Sequence, residues 1–161
     1  MQARRARSFG AVAEADAVVG GQMWYLVDLE PAAAEVARVL HSRDVLGLLW
    51  NLRDERVPWM AELRAVLGGE DLHGRPPRVM LPEDAPFIEA TSTDFPFAQQ
   101  LVPEDLVDLV ASRSHVQVLR DDERAALLKR VARFARVHPE LAGRATIEVP
   151  YVTFCWRATR A

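Results

Sequence analysis

DAVVGGQMW, residues 16–24, is the stretch that decides the fold. It opens with a short, largely apolar segment that runs into two glycines, which is typical of a buried strand over about residues 15–20. Further along, residues 28–40 carry apolar side chains at helical spacing, and VLGLLWN, residues 45–51, is a continuous apolar run. Such a run predicts a strand buried on both faces. Buried strands joined by a helix predict a parallel sheet in an α/β fold.

The rest of the chain also alternates predicted helices and strands, with a long polar connector over residues 70–86. Three acids at residues 121–123 stand at the positive end of the best helix, so capping explains them better than an acid–base cluster does. The further predicted elements are a helix from Pro58 that ends at Gly68-Gly69, a strand over residues 88–95, helices from Pro103 and from Asp121 to His138, and a closing strand over residues 146–156.

The composition is that of an ordinary packed protein. The chain has 161 residues and a mass of 18.0 kDa, with 50% hydrophobic and 27% charged residues. A formal net charge of -3 provides no broad basic field for nucleic acid, and no apolar run is long enough to cross a membrane. The single Cys155 excludes an internal disulfide and fits a reducing compartment. We therefore expect a cytoplasmic protein without nucleic-acid or membrane partners, with a mobile segment at residues 1–14.

Most familiar catalytic patterns are missing from the sequence. The glycines contain no Gly-x-Gly-x-x-Gly and no P-loop is present, so a complete phosphate-cradling turn is absent. Ser112, Ser114 and His115 lack the Gly-x-Ser-x-Gly elbow that a hydrolase triad of this kind needs. The histidines lie far apart without the spacing of metal ligands, which predicts no metal site. They are His41, His73, His115 and His138.

A ligand-binding rim is predicted where the first two strands end. In open α/β sheets, ligands bind beyond the carboxyl ends of the parallel strands, so residues 20–25 and 51–53 should share one rim. The paired glycines allow a ligand to approach the backbone, the aromatic side chains could stack on a planar group, and the polar ones could bind it by hydrogen bonds or charge. The structural alternative is that Trp24 and Trp50 fill the seam between sheet and helices. The candidate acceptor-side residues are Trp24, Tyr25, Asn51 and Arg53.

Three consecutive segments resemble a known family. Residues 16–24, the helix over residues 33–40, and residues 45–51 resemble the fourth strand, the following helix and the fifth strand of class I S-adenosylmethionine-dependent methyltransferases. Segments similar to bacterial members of the type 11 group are RDERVPW at 53–59, PEDL at 103–106, SRS at 112–114 and HPELAGR at 138–144. The resemblance implies part of a seven-stranded sheet of order 3-2-1-4-5-7-6, here strands 4-5-7-6, with the last strand antiparallel.

By this resemblance, residues 15–161 form the C-terminal half of a methyltransferase-like α/β domain, with a truncated Rossmann-like sheet. The Gly-x-Gly turn and the acidic residue that hold the cofactor should precede residue 15, where only a short segment is available. The resemblance implies that S-adenosylmethionine contacts Gly21, Gln22 and Met23, and that a small-molecule acceptor lies beside the rim. The catalytic residue stays unassigned.

Two departures from the family pattern accompany the missing segment. Residues 25–27 replace a usual aromatic run, and residues 41–44, His-Ser-Arg-Asp, replace a turn of Arg-Pro-Gly-Gly that forms without strain. One hypothesis is methyl transfer that requires a separate N-terminal half or partner. The alternative is a non-catalytic remnant or interaction module, which pairs through an open sheet edge at residues 16–19, as a homodimer or with another chain. A misplaced start at Met1 is the third reading.

Overall fold

The computed structural model describes residues 15–68 and 81–161. The predicted mobile segment over residues 1–14, and residues 70–80 of the predicted connector, lie outside the described residues. The elements are the strands β1 (Ala15–Gly21), β2 (Leu40–Arg53), β3 (Phe87–Leu101) and β4 (Ile147–Arg160), the helices α1 (Leu29–Val39), α2 (Pro58–Val66), α3 (Asp105–Ala111), α4 (Ser114–Gln117) and α5 (Asp121–Val137), and a 3-10 turn at Trp24–Leu26.

The strands form a four-stranded sheet in the order β1-β2-β4-β3. This is the order 4-5-7-6 that the resemblance implied, so the predicted fold class is confirmed. β1 and β2 run parallel, with Val18 opposite Leu46. As predicted from the two apolar runs, a helix, α1, joins the parallel pair.

The last strand, β4, runs antiparallel to its neighbour β2. Arg160 Nη1 donates to the Leu40 carbonyl at the start of β2 at 2.7 Å, whereas Thr153 Oγ1 donates to Asn51 Oδ1 near its end at 2.6 Å. The partner's residue number falls along β4 as it rises along β2, which only antiparallel strands allow. The predicted direction of the last strand is therefore confirmed.

β3 is longer than predicted and lies at the far side of the sheet. The sequence predicted a strand over residues 88–95, whereas the strand extends from Phe87 to Leu101 and is exposed along almost all of its length. Pro96 lies within it. Proline donates no ladder hydrogen bond and is therefore confined largely to edge strands, which is where β3 stands.

The described chain divides into two compact units. The first comprises residues 15–52, 81–95 and 152–161, and the second comprises residues 53–68 and 96–151. Each unit has its own apolar core.

The core of the first unit is built on β2. Leu46, Leu48, Trp50 and Leu52, whose side chains share one face of the strand, are buried, and Val36 of α1 packs against this cluster. The alternate positions Val45 and Leu49 are only half-buried, so the prediction that both faces are buried was wrong. Period-two alternation was hidden in the sequence because the less covered face also carries apolar side chains.

The turn into β2 shows the strain that its sequence predicts. Leu40, expected as the last position of the helical stripe, is the wholly buried first residue of β2. The register between β1 and β2 is irregular at this point, because Ala15 faces Leu40 whereas Ala17 faces Val45. Arg43 in this irregular stretch has φ +75°, a conformation that favours glycine.

The second unit packs α2, α3 and α5 around the first half of β4. Wholly buried side chains such as Leu63, Leu106 and Val131 form its core. α5 begins at Asp121 as predicted and ends at Val137. The residue after it is His138, whose Nδ1 accepts a hydrogen bond from the Glu140 amide at 3.2 Å. No helix in the described ranges is both long and apolar enough to cross a membrane.

Candidate functional site

Gln22 joins the end of β1 to the end of β2. Its backbone N–H donates to the Leu49 carbonyl at 2.9 Å, and its side-chain Nε2 donates to the Asn51 carbonyl at 3.1 Å. Gln22 adopts φ +56°, in the left-handed region that side-chain-bearing residues visit rarely. The structure thus brings together the two strand ends on which the predicted rim rests.

Asn51 extends this connection to the neighbouring strand. Its Oδ1 accepts a hydrogen bond from Thr153 Oγ1 at 2.6 Å, while its carbonyl accepts the one from Gln22. The Asn51 and Gln22 side chains are exposed. A row of solvent-accessible amide groups therefore lies where β1 and β2 end, beside a threonine of β4. The sequence did not indicate that Thr153 would lie beside these amide groups.

The two glycines at the end of β1 have different surroundings. A Cβ added at Gly20 would lie 3.0 Å from Met23 Sδ and 3.2 Å from Leu48 Cδ2, so a larger residue here would force one of these side chains to shift. A Cβ added at Gly21 would meet nothing within 4 Å. The described chain therefore gives no packing reason for glycine at position 21, and its backbone is open to an approaching ligand.

The aromatic pair after the glycines is split between core and surface. Trp24 is 5% exposed and belongs to the apolar cluster of the first unit, whereas Tyr25 is 54% exposed. Trp24 is thus a core residue, as expected if its ring fills space between the sheet and the helices. Tyr25 is accessible for stacking on a ligand. Met23 is also exposed, and its sulfur packs toward Gly20.

Arg53 and the turn after it belong to the second unit. Arg53 is the half-buried last residue of β2, whereas the other rim residues belong to the first unit. In the following turn, the Arg56 guanidinium donates two hydrogen bonds of 2.7 Å to the Asp54 carboxylate, and the Arg56 amide donates a third. The guanidinium hydrogen bonds hold the pKa of the Asp54 carboxyl below its ordinary value.

Arg113 of the second unit has a polar environment that sequence reasoning did not predict. Its Nη2 donates to the Tyr151 hydroxyl at 3.1 Å, and its Nε is buried without a hydrogen-bond partner among the described residues. The Tyr151 ring stacks on Phe97 at a centroid distance of 5.2 Å. The only signal in the sequence was the SRS segment that contains Arg113.

A group of possible metal ligands lies at the opposite end of β1 from the glycines. Ligand atoms of Asp16, His41 and Asp44 all lie within 4.8 Å of one another. Spacing along the sequence could not show this group, because its members come from two strands. Two of the three residues are exposed, and exposed groups of this kind are common without an ion, so the geometry alone assigns no metal function.

Comparison with known sequences identifies relatives over most of the chain. No protein-family profile matches it. It is 43% identical, over 146 residues, to an uncharacterized methyltransferase of Mycobacterium tuberculosis H37Rv, a match that covers 91% of this chain and 59% of the relative. A methyltransferase-like protein of Schizosaccharomyces pombe is 26% identical over 90% of this chain and 58% of its own length. The chain thus spans about three fifths of the length of these relatives.

Comparison with solved structures supports the same fold. A protein from Anaeromyxobacter dehalogenans described as a type II methyltransferase is 20% identical, and the match covers 93% of this chain and 66% of that one with a TM-score of 0.60. At this identity the likeness concerns the fold alone.

Proposed function

Because the chain belongs to the same family as these proteins named methyltransferases, we propose that it forms the acceptor-side part of a class I S-adenosylmethionine-dependent methyltransferase acting on a small molecule. The single observation that carries the proposal is the row of exposed amides formed by Gln22 and Asn51 at the end of β1 and β2. In a sheet of this kind that end is where ligands bind. The exposed Tyr25 ring adds a surface for a planar acceptor group.

The residues on the rim fit one side of a cofactor. The open backbone at Gly21 leaves room for a ligand, and Gln22 follows with its side chain on the exposed rim. The 161 residues contain no Gly-x-Gly turn, and the proposal therefore assigns to this chain the contacts on one side of the cofactor only. S-adenosylmethionine supplies a methyl group activated on sulfur, and the main task of the protein is to hold the acceptor in line with it. Asn51 and Tyr25 would orient that acceptor.

For the contacts on the other side of the cofactor, we propose a partner chain that completes the sheet. β1 pairs only with β2 among the described residues, and Val19 on it is 66% exposed. An exposed apolar edge strand is a template for strand addition. We propose that a separate N-terminal half completes the sheet at β1 and brings the remaining cofactor contacts. We also propose that the protein is cytoplasmic.

Thermal unfolding with and without S-adenosylhomocysteine tests cofactor binding by this chain. A ligand that binds only the folded state raises the melting temperature in a concentration-dependent way. We expect a saturable rise for the wild-type chain and a smaller rise for Gly21→Val, which places a branched side chain in the open space. Gly47→Ala is the control, because an added Cβ there meets only Val19 Cγ2 at 3.7 Å. No rise for the wild type would show that the isolated chain does not bind the cofactor.

The second candidate function is a non-catalytic interaction module, and the exposure of Val19 is the observation that favours it. Light scattering of the purified chain separates the two. A concentration-dependent dimer that Val19→Lys converts to monomer, together with no response to S-adenosylhomocysteine, would support the module. A monomer that binds the cofactor analogue would overturn it.

A further inference from the structure

A cavity of about 620 Å³ lies in the second unit. It is lined by residues 103–107 at the start of α3, by the second half of α5 and by residues 141–144 of the loop after α5. Its volume is in the range of pockets that hold small organic ligands. Its residues all belong to the second unit, whereas the rim residues Gln22 and Asn51 belong to the first. Ligand binding in this cavity would therefore not require the proposed methyl transfer.

Four cationic side chains surround this cavity. Lys129, Arg133 and Arg136 line it from α5, and Arg144 lines it from the loop. Glu104 is the one acidic residue of the lining, so the cavity carries an excess of positive charge although the whole chain has a formal net charge of -3. Positive charge concentrated around a concave surface attracts anions.

The three cations of α5 follow one another at helical spacing. Positions 129, 133 and 136 are four and three residues apart, so their side chains share one face of the helix. Like charges at this spacing repel one another. None of the four cations takes part in a side-chain hydrogen bond or ion pair in the part of the chain that the structure describes. A bound anion would relieve this repulsion.

The cavity also has an apolar lining. Val107 of α3 and Ala132 of α5 line it and are half-buried, so part of their apolar surface is accessible, whereas the lining residues Ala135 and Leu141 are buried. A simple inorganic anion would leave this surface in contact with water. A ligand with both an apolar body and an anionic group would cover it, and the burial of apolar area would add to the binding free energy.

We propose that this cavity binds a small amphipathic anion, with an apolar body against Val107 and Ala132 and a carboxylate or phosphate group among Arg133, Arg136 and Arg144. Guanidinium groups suit both kinds of head group, because their paired N–H donors match two oxygen acceptors.

Isothermal titration calorimetry on the full chain tests this proposal with four probes. 2-Naphthoate and 2-naphthyl phosphate carry the two anionic groups on the same apolar body, 2-naphthamide is the neutral analogue, and inorganic phosphate lacks the apolar body. We expect saturable binding of at least one naphthyl anion, and at least tenfold weaker binding of both the amide and inorganic phosphate. The stronger of the two naphthyl anions identifies the preferred head group.

A double variant locates the binding. Arg133→Gln with Arg136→Gln should weaken binding of the naphthyl anion at least tenfold. Arg130→Gln, an exposed arginine on the same helix that does not line the cavity, should leave it unchanged. All three positions are exposed, so the variants should keep the wild-type melting temperature. Equal binding of anion and amide, undiminished binding by the double variant, or absence of naphthyl anion binding would each overturn the proposal.

Discussion

Gln22 and Asn51, separated by 28 residues along the chain, meet where two parallel strands end: Gln22 Nε2 donates a hydrogen bond to the Asn51 carbonyl at 3.1 Å. The backbone of Gln22 is in the left-handed conformation, and Asn51 also accepts a hydrogen bond from Thr153. Unusual backbone conformations persist where the surroundings hold them, and they concentrate at functional sites. This relationship supports placing the candidate site here.

Removal of the Gln22 side chain should weaken ligand binding more than it weakens the fold. Gln22→Ala loses one exposed hydrogen bond, which is worth about 0.5–1.5 kcal/mol, and we expect a cost in the lower part of that range. Urea unfolding measures the stability, and the shift in melting temperature with S-adenosylhomocysteine measures binding. Gln99→Ala, a change to an exposed glutamine on β3, is the matched control. A full ligand response in Gln22→Ala would remove Gln22 from the site.

The two neighbouring glycines should respond in opposite ways to the same substitution. Gly20→Ala should destabilise the chain by about 1–3 kcal/mol, because the added methyl is pressed against Met23 Sδ and the buried Leu48. Gly21→Ala should leave the stability unchanged within about 0.5 kcal/mol, because its methyl enters open space. Chemical unfolding of both variants provides the measurement. Equal losses would contradict the packing described for this turn.

Substitutions of Trp24 and Tyr25 should affect stability differently, because Trp24 is a core residue and Tyr25 is a candidate ligand contact. Trp24→Ala should lower the free energy of unfolding by about 3–5 kcal/mol, because it empties a buried position in the core of the first unit. Tyr25→Ala should change it by no more than about 0.5 kcal/mol, because the ring is mostly exposed. Urea unfolding followed by circular dichroism distinguishes the two. A large loss of stability in Tyr25→Ala would rule out a role confined to ligand contact.

The turn after β2 should contribute a small pH-dependent stability. The folded-state pKa of Asp54 lies below its ordinary value because of hydrogen bonds from Arg56. The contribution is therefore present above the unfolded-state pKa of about 3.9 and is lost as the pH falls through the lower folded-state pKa. Because the Arg56 side chain is 77% exposed, we expect no more than about 1 kcal/mol.

Melting temperatures of the wild type and Asp54→Asn across this acid range measure the effect. The wild type should be the more stable protein at pH 6, and the difference should shrink as the pH falls below about 4. Asp94→Asn, at an exposed position on β3, controls for the general loss of one carboxylate. A difference that stays constant with pH would show that the Asp54 hydrogen bonds do not contribute in this way.

Several elements could be predicted because their signals are local. The starts of α2, α3 and α5 follow from Pro58, from Pro103 and from three acids before an apolar-periodic run. The start of β2 at Leu40 could not be separated from the preceding helix, because its side chain also continues the helical stripe. The length of β3 was hidden because a proline inside a strand argues against a strand unless the strand lies at a sheet edge.

The candidate residues show the same division. The rim at residues 20–25 and 51–53 was predicted from the rule that parallel strands end at one edge, and Gln22 does contact Asn51 there. The separation of Trp24 from Tyr25 could not be predicted, because burial depends on which elements pack over each ring. Thr153 was missed because it is distant in sequence from the other rim residues.

The sequence by itself determined the strand–helix–strand order and the end of the first strand at two glycines. It could do so because hydrophobic periodicity and turn chemistry act between residues close along the chain. Only the tertiary structure decided that Thr153 reaches Asn51 and that Arg144 joins the cationic face of α5 around one cavity. These relationships depend on strand register and on the packing of elements distant in sequence, which no local pattern specifies.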